Sequence, residues 1–441
     1  MNRSVLLIPI LAISGFALSP AVAEQPSELQ TAQWLDWRGP NADGTVTASS
    51  RPPTEWDAES GKNIAWSVPL HGLGHSTPIV VDGQVWITAA TLDGKKQSVV
   101  SVDLESGEKL VDRVLFVNAK PDPLSNDVNN YAAPSCVAEP GRVYVHFGSY
   151  GTAAIDTATK KVLWERRDLE CNHWRGPGSS PILFGDLLIL SFDGADVQYM
   201  AGLNKNTGET IWKTERSTPW DDLDKNGKPS SDGDFRKAFS TPIIAEVGGQ
   251  TQMISVASKC FFGYDPLTGK ELWQHFHSAG HTGSARPLFK DGVAYLNTGY
   301  SKAQLWALRI DGQTKGEVSS DAVIWKRTKN IPNRGTPVLI GNRIYAVDDG
   351  GIATCLDPAT GDDLWRERVK STYSASTVCA GGNLYFLNLK GHTTVVKQSD
   401  TFEVVAENSL ERGEHDCGAS IAVVGNSLLI RTGGFLYRIA E

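Results

Sequence analysis

The sequence predicts an all-β protein: an eight-bladed β-propeller of four-stranded antiparallel blades, with its ring closed by an N-terminal strand. Three observations lead to this prediction. The 441-residue chain has 43 glycines, 22 prolines and 13 tryptophans, and the apolar runs between its turn residues are too short for helices. A short motif that ends in tryptophan recurs along the chain. Its copies are separated by the distances that four short strands per repeat require.

The recurring motif has the form Asp-x-x-Thr-Gly-x-x-x-Trp. Its copies span residues 204–212, 265–273 and 357–365, with weaker copies at 156–164 and 103–111. The step between consecutive tryptophan positions runs from 40 residues, Trp325 to Trp365, to 61 residues, Trp212 to Trp273. These steps are typical of propeller blades and not of solenoid coils. Burial of one indole removes about 200 Å² from water, worth about 5 kcal/mol, so we interpret the tryptophans as wedges between blades and not as cofactor ligands.

Each repeat also begins alike, with small residues at the head of an apolar strand. Eight such openings occur, at residues 76–80, 133–137, 179–183, 240–244, 285–289, 335–339, 375–379 and 419–423. We interpret the serines and threonines there as small residues required by crowding around the axis. The last opening has no tryptophan strand after it, and the strand around Ile64 to Val68 has no opening before it. Pairing these two ends closes the ring and removes the exposed strand edges.

The N-terminus predicts export. Residues 1–23 contain Arg3, an apolar run from Val5 to Leu18 and the sequence Ala-Val-Ala at 21–23, as in a signal peptide. An uncleaved anchor is the alternative, although the run is short for a bilayer span. We therefore expect a signal peptide at 1–23, an N-terminal extension at 24–60 with a Trp-Arg-Gly-Pro motif, and a propeller at 61–441. The mature protein would be periplasmic or secreted and would have no membrane span.

Charge and cysteine content narrow the classes further. The chain has 42 Lys and Arg against 50 Asp and Glu, a net charge of −8, so no global basic field favours nucleic acid as a partner. The six cysteines of an exported chain allow up to three disulfides or buried free thiols, and the sequence leaves this open. No Cys-x-x-Cys spacing occurs, which argues against a zinc knuckle or a redox pair.

The repeat motif resembles the PQQ-like β-propeller repeat, which is shared by quinoprotein dehydrogenases and outer-membrane assembly scaffolds of the BamB type. The resemblance covers about residues 61–441. The segment Trp-Leu-Asp-Trp-Arg-Gly-Pro-Asn-Ala-Asp-Gly at 34–44 is similar to the opening of exported PQQ-like repeat proteins of planctomycete-type bacteria. These resemblances imply the propeller fold but leave the function open.

Two functions are implied by the resemblance, and the sequence lacks something that each requires. A quinoprotein dehydrogenase would hold calcium and PQQ at the propeller mouth. This chain has no pair of adjacent cysteines, it is shorter than those enzymes, and their calcium-binding residues cannot be traced in it. An assembly scaffold of the BamB type would be anchored by a lipid, and no cysteine stands at the predicted cleavage point.

One face of the predicted propeller collects polar side chains. The long connections that emerge there carry seven of the nine histidines together with several arginines. From them we predict eight ligand-binding residues: His75, His173, Trp174, Arg175, Arg236, His281, Arg334 and His415. A small molecule, a carbohydrate or a protein would bind through this loop-rich face. The alternative is that these loops are polar simply because they face water.

The sequence assigns no cofactor, disfavours PQQ and allows calcium at one loop. Residues 222–227, Asp-Leu-Asp-Lys-Asn-Gly, copy the first half of a calcium loop and predict Asp222, Asp224 and Asn226 as ligands. Gly233 stands where such a loop has its bidentate glutamate, so an ordinary acidic turn is the alternative. The histidines between His275 and His281 allow a zinc or copper site in the same way. No motif for nucleophilic or carboxylate-pair hydrolysis is present, and we expect a binding module and not an enzyme.

Overall fold

The computed structural model describes residues 1, 32–46, 49–124, 128–370 and 372–441. Apart from Met1, the predicted signal peptide at 1–23 lies outside these residues. Within them the chain forms 33 β-strands and two short 3₁₀ helices, Ser230–Arg236 and Ser320–Ala322. The strands form eight antiparallel sheets in a ring, which confirms the eight-bladed propeller.

The first four blades follow one another along the chain. Blade 1 comprises β2 (Ile79–Val81), β3 (Gln84–Ala90), β4 (Lys96–Asp103) and β5 (Lys109–Val117). Blade 2 comprises β6 (Val137–Glu139), β7 (Arg142–His146), β8 (Thr152–Asp156) and β9 (Val162–Arg166). Blade 3 comprises β10 (Ile182–Phe184), β11 (Leu187–Asp193), β12 (Gln198–Asn204) and β13 (Thr210–Glu215). Blade 4 comprises β14 (Ile243–Val247), β15 (Gln250–Val256), β16 (Cys260–Tyr264) and β17 (Glu271–Phe276).

The other four blades complete the ring. Blade 5 comprises β18 (Leu288–Lys290), β19 (Val293–Asn297), β20 (Leu305–Arg309) and β22 (Val323–Arg327), and its β21 (Gly316–Glu317) adds to blade 4, parallel to β17. Blade 6 comprises β23 (Val338–Ile340), β24 (Arg343–Val347), β25 (Ile352–Leu356) and β26 (Asp363–Arg368). Blade 7 comprises β27 (Val378–Ala380), β28 (Asn383–Leu387), β29 (His392–Lys397) and β30 (Val404–Ser409). Blade 8 comprises β31 (Ala422–Val424), β32 (Ser427–Arg431), β33 (Phe435–Ile439) and the N-terminal β1 (Ile64–Pro69).

The N-terminal strand closes the ring as predicted. Strand β1 pairs antiparallel with β33, so that Trp66 lies opposite Arg438 and Val68 opposite Leu436. The fourth strand of blade 8 therefore comes from the other end of the chain. Since the strand that begins the repeats and the strands that end them are in one sheet, opening the ring would require breaking that sheet.

The repeated tryptophans pack between blades. Trp164 of blade 2 lies against Gly208 in the Thr-Gly turn of blade 3, and its Nε1 donates a hydrogen bond to Lys205 O at 2.9 Å. A Cβ atom at Gly208, whose φ is +78°, would lie 2.7 Å from the indole. Trp325 and Gly361 repeat this arrangement between blades 5 and 6. The glycine of the motif is thus required twice: it adopts the positive φ of the turn, and its lack of a Cβ leaves space for the indole of the preceding blade.

Two further features of the fold concern its cysteines and its helices. All six cysteines are buried free thiols, which answers the question that the sequence left open. Among the described residues, no helix has the length and apolar character needed to cross a membrane.

Candidate functional site

A segment that precedes the first blade crosses the axis of the ring. We call residues 34–46 the floor segment. The backbone of Trp34 pairs with Val80 of blade 1 through two hydrogen bonds of 2.9 Å. At the other end of the segment, Gly44 O accepts a hydrogen bond of 2.9 Å from the N–H of Cys379 in blade 7. Between these anchors Asp36 contacts Arg286 of blade 5, on the opposite side of the ring from blade 1, so the segment reaches across the central channel.

A belt of side-chain hydroxyls surrounds the channel above the floor segment. We call it the hydroxyl ring. Its members are Thr77, Ser135, Ser180, Thr241, Thr336, Ser376 and Ser420, one from each blade except blade 5. Each hydroxyl accepts a hydrogen bond of 2.8–3.2 Å from the backbone N–H of the preceding blade's inner strand. The last link, from Ser420 N to Thr77 Oγ1, joins blade 8 to blade 1. The ring therefore links the blades around the axis.

Blade 5 has Arg286 at the ring position. Its backbone N–H donates to Thr336 Oγ1 at 2.9 Å like the other members, but it offers no hydroxyl to Thr241. Its Nε instead donates to Pro242 O at 3.1 Å. Its two terminal nitrogens contact the carboxylate of Asp36, in the floor segment, at 2.5 and 3.1 Å.

A cavity of about 500 Å³ opens above the floor segment on the loop-rich face, and we call it the axial funnel. Trp37 of the floor segment and six members of the hydroxyl ring line its lower part. Two walls rise from there. The cationic wall, from blades 6 to 8 and the start of blade 1, has Arg334, Ser374, Gly418 and His75. The aromatic wall, from the connections around blades 3 to 5, has Phe235, Phe239, Tyr300 and His281.

The structure brings four of the eight predicted ligand-binding residues together. His75, Arg175, His281 and Arg334 all line the axial funnel. His75 and Arg334, which share a register in the repeat, lie on the same wall. That these residues bind a ligand stays a prediction.

The other four lie elsewhere in the described part of the chain. His173 is buried, with Nε2 3.1 Å from Cys171 Sγ. Trp174 stacks beneath Arg175, whose guanidinium lies 5.4 Å from the ring centre. Arg236 is held by the Asp222 carboxylate at 2.5 and 3.1 Å. His415 is exposed on the loop-rich face, outside the funnel lining. Neighbouring residues on one loop thus have very different positions.

The predicted calcium ligands have other partners. Asp222 forms the ion pair with Arg236, and Asp224 Oδ1 accepts the N–H groups of Asn226 and Lys228 at 2.8 and 2.9 Å. The funnel carboxylate, Asp234, is bound by Arg175. In the described ranges, no three His, Cys, Asp or Glu side chains form a group that could hold a metal. Calcium in the Asp222 loop therefore stays a prediction, and the donor set does not fit a calcium–quinone centre.

Both funnel arginines keep one terminal nitrogen available. Arg334 uses Nε and Nη2 on Asp349, at 3.1 and 2.9 Å. Arg175 uses Nε and Nη2 on Asp234, both at 2.7 Å. Within the described residues, Nη1 of either arginine has no hydrogen-bond partner. Burial alone would raise the pKa of Asp234, but hydrogen bonds from Arg175 and Lys237 hold that pKa at about 2.

Buried positive charge lies beside the funnel. Arg431 is 2% exposed, and its Nη1 donates to Ser76 Oγ at 2.6 Å and to Thr88 O at 2.7 Å. No carboxylate contacts it among the described residues, and burial lowers its pKa to about 9. His75 lies nearby. Burial, and then the charges of Arg431 and Arg334, lower the pKa of His75 to about 4, so the imidazole is neutral at pH 7.

Fold and site define the class: an eight-bladed propeller of PQQ-like repeats whose axial cavity opens on the loop-rich face. A family model described as outer membrane protein assembly factor BamB matches residues 123–256, 200–366 and 263–410. The chain belongs to this PQQ-like repeat family. No curated protein matches its sequence.

Solved structures agree on the fold. A europium-containing methanol dehydrogenase is similar with a TM-score of 0.67 and 12% identity, over 94% of this chain and 99% of that one. BamB from Moraxella catarrhalis has a TM-score of 0.57 and 11% identity, over 85% and 98% of the two chains. The computationally designed Ika8 protein has a TM-score of 0.54 and 11% identity, over 86% and 99%. At such low identity these likenesses show the fold alone.

Sequence reasoning missed several funnel residues. Trp37 belongs to a motif that the sequence analysis related only to other exported proteins. The ring hydroxyls were interpreted as small residues for crowded strands, although they recur at one register of the repeat and Arg286 is the exception. Phe235 and Phe239 lie in the long 217–240 connection, where nothing in the local sequence distinguishes them from ordinary loop aromatics.

Proposed function

We propose that this protein is an exported binding module that takes a small anionic molecule into its axial funnel. The observation that carries the proposal is the hydroxyl ring. Each of its hydroxyls uses a lone pair to accept a backbone N–H, and none donates its proton to a protein acceptor within the described residues. Since six of them line the cavity, the lower funnel presents hydrogen-bond donors to its contents.

The charges beside the ring support the same ligand class. Nη1 of Arg334 and Nη1 of Arg175 add charge-assisted donors. Arg431 contributes a buried positive charge that no carboxylate of the described residues contacts. Carbohydrate is less well matched, because the described residues of the cationic wall include no carboxylate to accept sugar hydroxyls. The aromatic wall of Phe235, Phe239 and Tyr300 suits an uncharged part of the same ligand.

Removing Arg334 should weaken anion binding. We expect Arg334→Ala to raise the dissociation constant of citrate about 10-fold to 100-fold, as loss of a charge-assisted hydrogen bond predicts. Isothermal titration of the purified protein measures this. His415→Ala is the matched control, because His415 is exposed on the same face outside the funnel. Equal affinities of the two variants, or no anion binding by the unaltered protein, would count against the proposal.

Anion binding should also depend on pH through His75. A bound anion favours the imidazolium and raises the low pKa of His75, so affinity should increase as the pH falls from about 7.5 towards about 5. Sulfate is the suitable probe, because its own charge is constant over this range. His75→Asn should remove most of the pH dependence. A slope that persists in this variant would assign the proton to another group, such as His281, which also lines the funnel.

A second candidate function is a scaffold in envelope assembly, which the description of the matching family favours. It predicts that the tagged protein enriches outer-membrane assembly components from envelope extracts. Enrichment that Arg334→Ala leaves intact would place the partner outside the funnel.

The quinoprotein alternative is tested by adding PQQ and calcium and following dye reduction; steady turnover would overturn our interpretation of the donor set.

A further inference from the structure

The one repeat position that breaks the hydroxyl ring is a buried cation. Arg286 is 4% exposed and stands where the other seven blades have serine or threonine. Its guanidinium forms the fork that recognises carboxylates, with Nη1 and Nη2 on the two oxygens of one group. In blade 5 the repeat therefore has an anion-binding guanidinium where the other blades have a neutral hydroxyl.

The anion that fills this position belongs to the chain itself. Asp36 lies 250 residues before Arg286, and both of its oxygens contact the guanidinium. Oδ1 also accepts the N–H of Arg38 at 2.8 Å. The same guanidinium also lies over the ring of Trp37. Among the described residues no other side chain of blade 5 makes a hydrogen bond or ion pair with the floor segment, so Arg286 ties the segment to the far side of the ring from Trp34.

We propose that Arg286 is a lower anion subsite of the axial channel, and that the chain fills it with Asp36 as a tethered carboxylate ligand. Trp37, the next residue, lines the funnel, with its ring centre 6.0 Å from the Arg286 guanidinium carbon and 5.6 Å from that of Arg38. Occupation of the subsite by Asp36 thus sets the position of the funnel floor. This inference goes beyond the proposed function and does not depend on what the funnel binds.

Chemical rescue tests the subsite. Asp36→Ala removes the carboxylate and leaves space of that size beside Arg286, which formate can fill. We expect the unfolding temperature of Asp36→Ala to fall below that of the unaltered protein and to rise again with the logarithm of formate concentration. Acetate, which is larger by a methyl group, should rescue less. Sodium chloride at equal ionic strength is the control for general salt effects.

The double variant Asp36→Ala with Arg286→Thr provides the matched control. Threonine restores a hydroxyl at the ring position and removes the Arg286 guanidinium, so this variant should not respond to formate beyond the chloride effect. If formate acts no more strongly than chloride on Asp36→Ala, or equally on the double variant, Arg286 is not an anion subsite. If Asp36→Ala fails to fold, its refolding yield with and without formate becomes the readout, and a yield independent of formate overturns the proposal.

Discussion

Asp193→Ala should lower the free energy of unfolding by about 3–5 kcal/mol, the range measured when one partner of a buried ion pair is removed. Asp193 ends β11 in blade 3, and its oxygens lie 2.6 and 2.8 Å from Nε and Nη2 of Arg216. Both side chains are buried. The guanidinium also donates to Ser255 of blade 4 at 3.1 Å, so the pair joins two blades. Without Asp193 its charge would remain buried with no counterion. Urea denaturation followed by tryptophan fluorescence measures the loss.

Asp400→Ala is the control for this prediction. Asp400 binds Arg343 in the same two-pronged geometry, at 2.6 and 2.6 Å, but its side chain is 63% exposed. Water replaces the lost carboxylate there, and we expect a much smaller change. Equal losses in the two variants would show that burial does not decide the strength of these pairs.

The fold was predictable because each part of the repeat motif encodes a local requirement. A Thr-Gly turn needs positive φ at the glycine, and the tryptophan four positions after that glycine lies on the outermost strand, where it meets the next turn. Five copies of this motif, together with eight strand openings, indicate eight blades. Ring closure followed from the unpaired ends, since an apolar strand without partners is unfavourable at either terminus.

The site was predictable only in part, because its geometry depends on contacts between distant residues. His173 and Arg175 are two positions apart, yet one packs between blades 2 and 3 and the other lines the funnel. No local pattern distinguishes them. The Asp36–Arg286 pair spans 250 residues, and neither residue reveals its partner. The sequence did contain one usable signal, the Ser or Thr that recurs at seven of the eight strand heads, but its meaning depends on the N–H of the neighbouring blade.

The second large effect on stability is expected at Trp273, in strand β17 of blade 4. Trp273→Ala should lower the free energy of unfolding by about 3–5 kcal/mol, as for other large buried aromatics truncated to alanine. Trp273 is fully buried, and its Nε1 donates to Gln252 Oε1 at 2.9 Å. Strand β21 pairs beside it in the sheet, with Gly316 opposite Trp273. The truncation would leave a cavity and an unpaired amide, and denaturant unfolding measures both together.

Trp164→Ala separates the effect of burial from that of the motif. Trp164 occupies the same repeat position in blade 2, where no fifth strand is present among the described residues, and its side chain is only partly buried. Its loss should therefore cost less than that of Trp273. Trp273→Phe keeps most of the apolar volume but leaves Gln252 unpaired. The free energy of unfolding should therefore fall by about 1–3 kcal/mol in this variant, the cost of losing the hydrogen bond. If Trp164→Ala is as damaging as Trp273→Ala, the motif tryptophan acts through the inter-blade wedge alone, and the added strand of blade 4 contributes nothing to its burial energy.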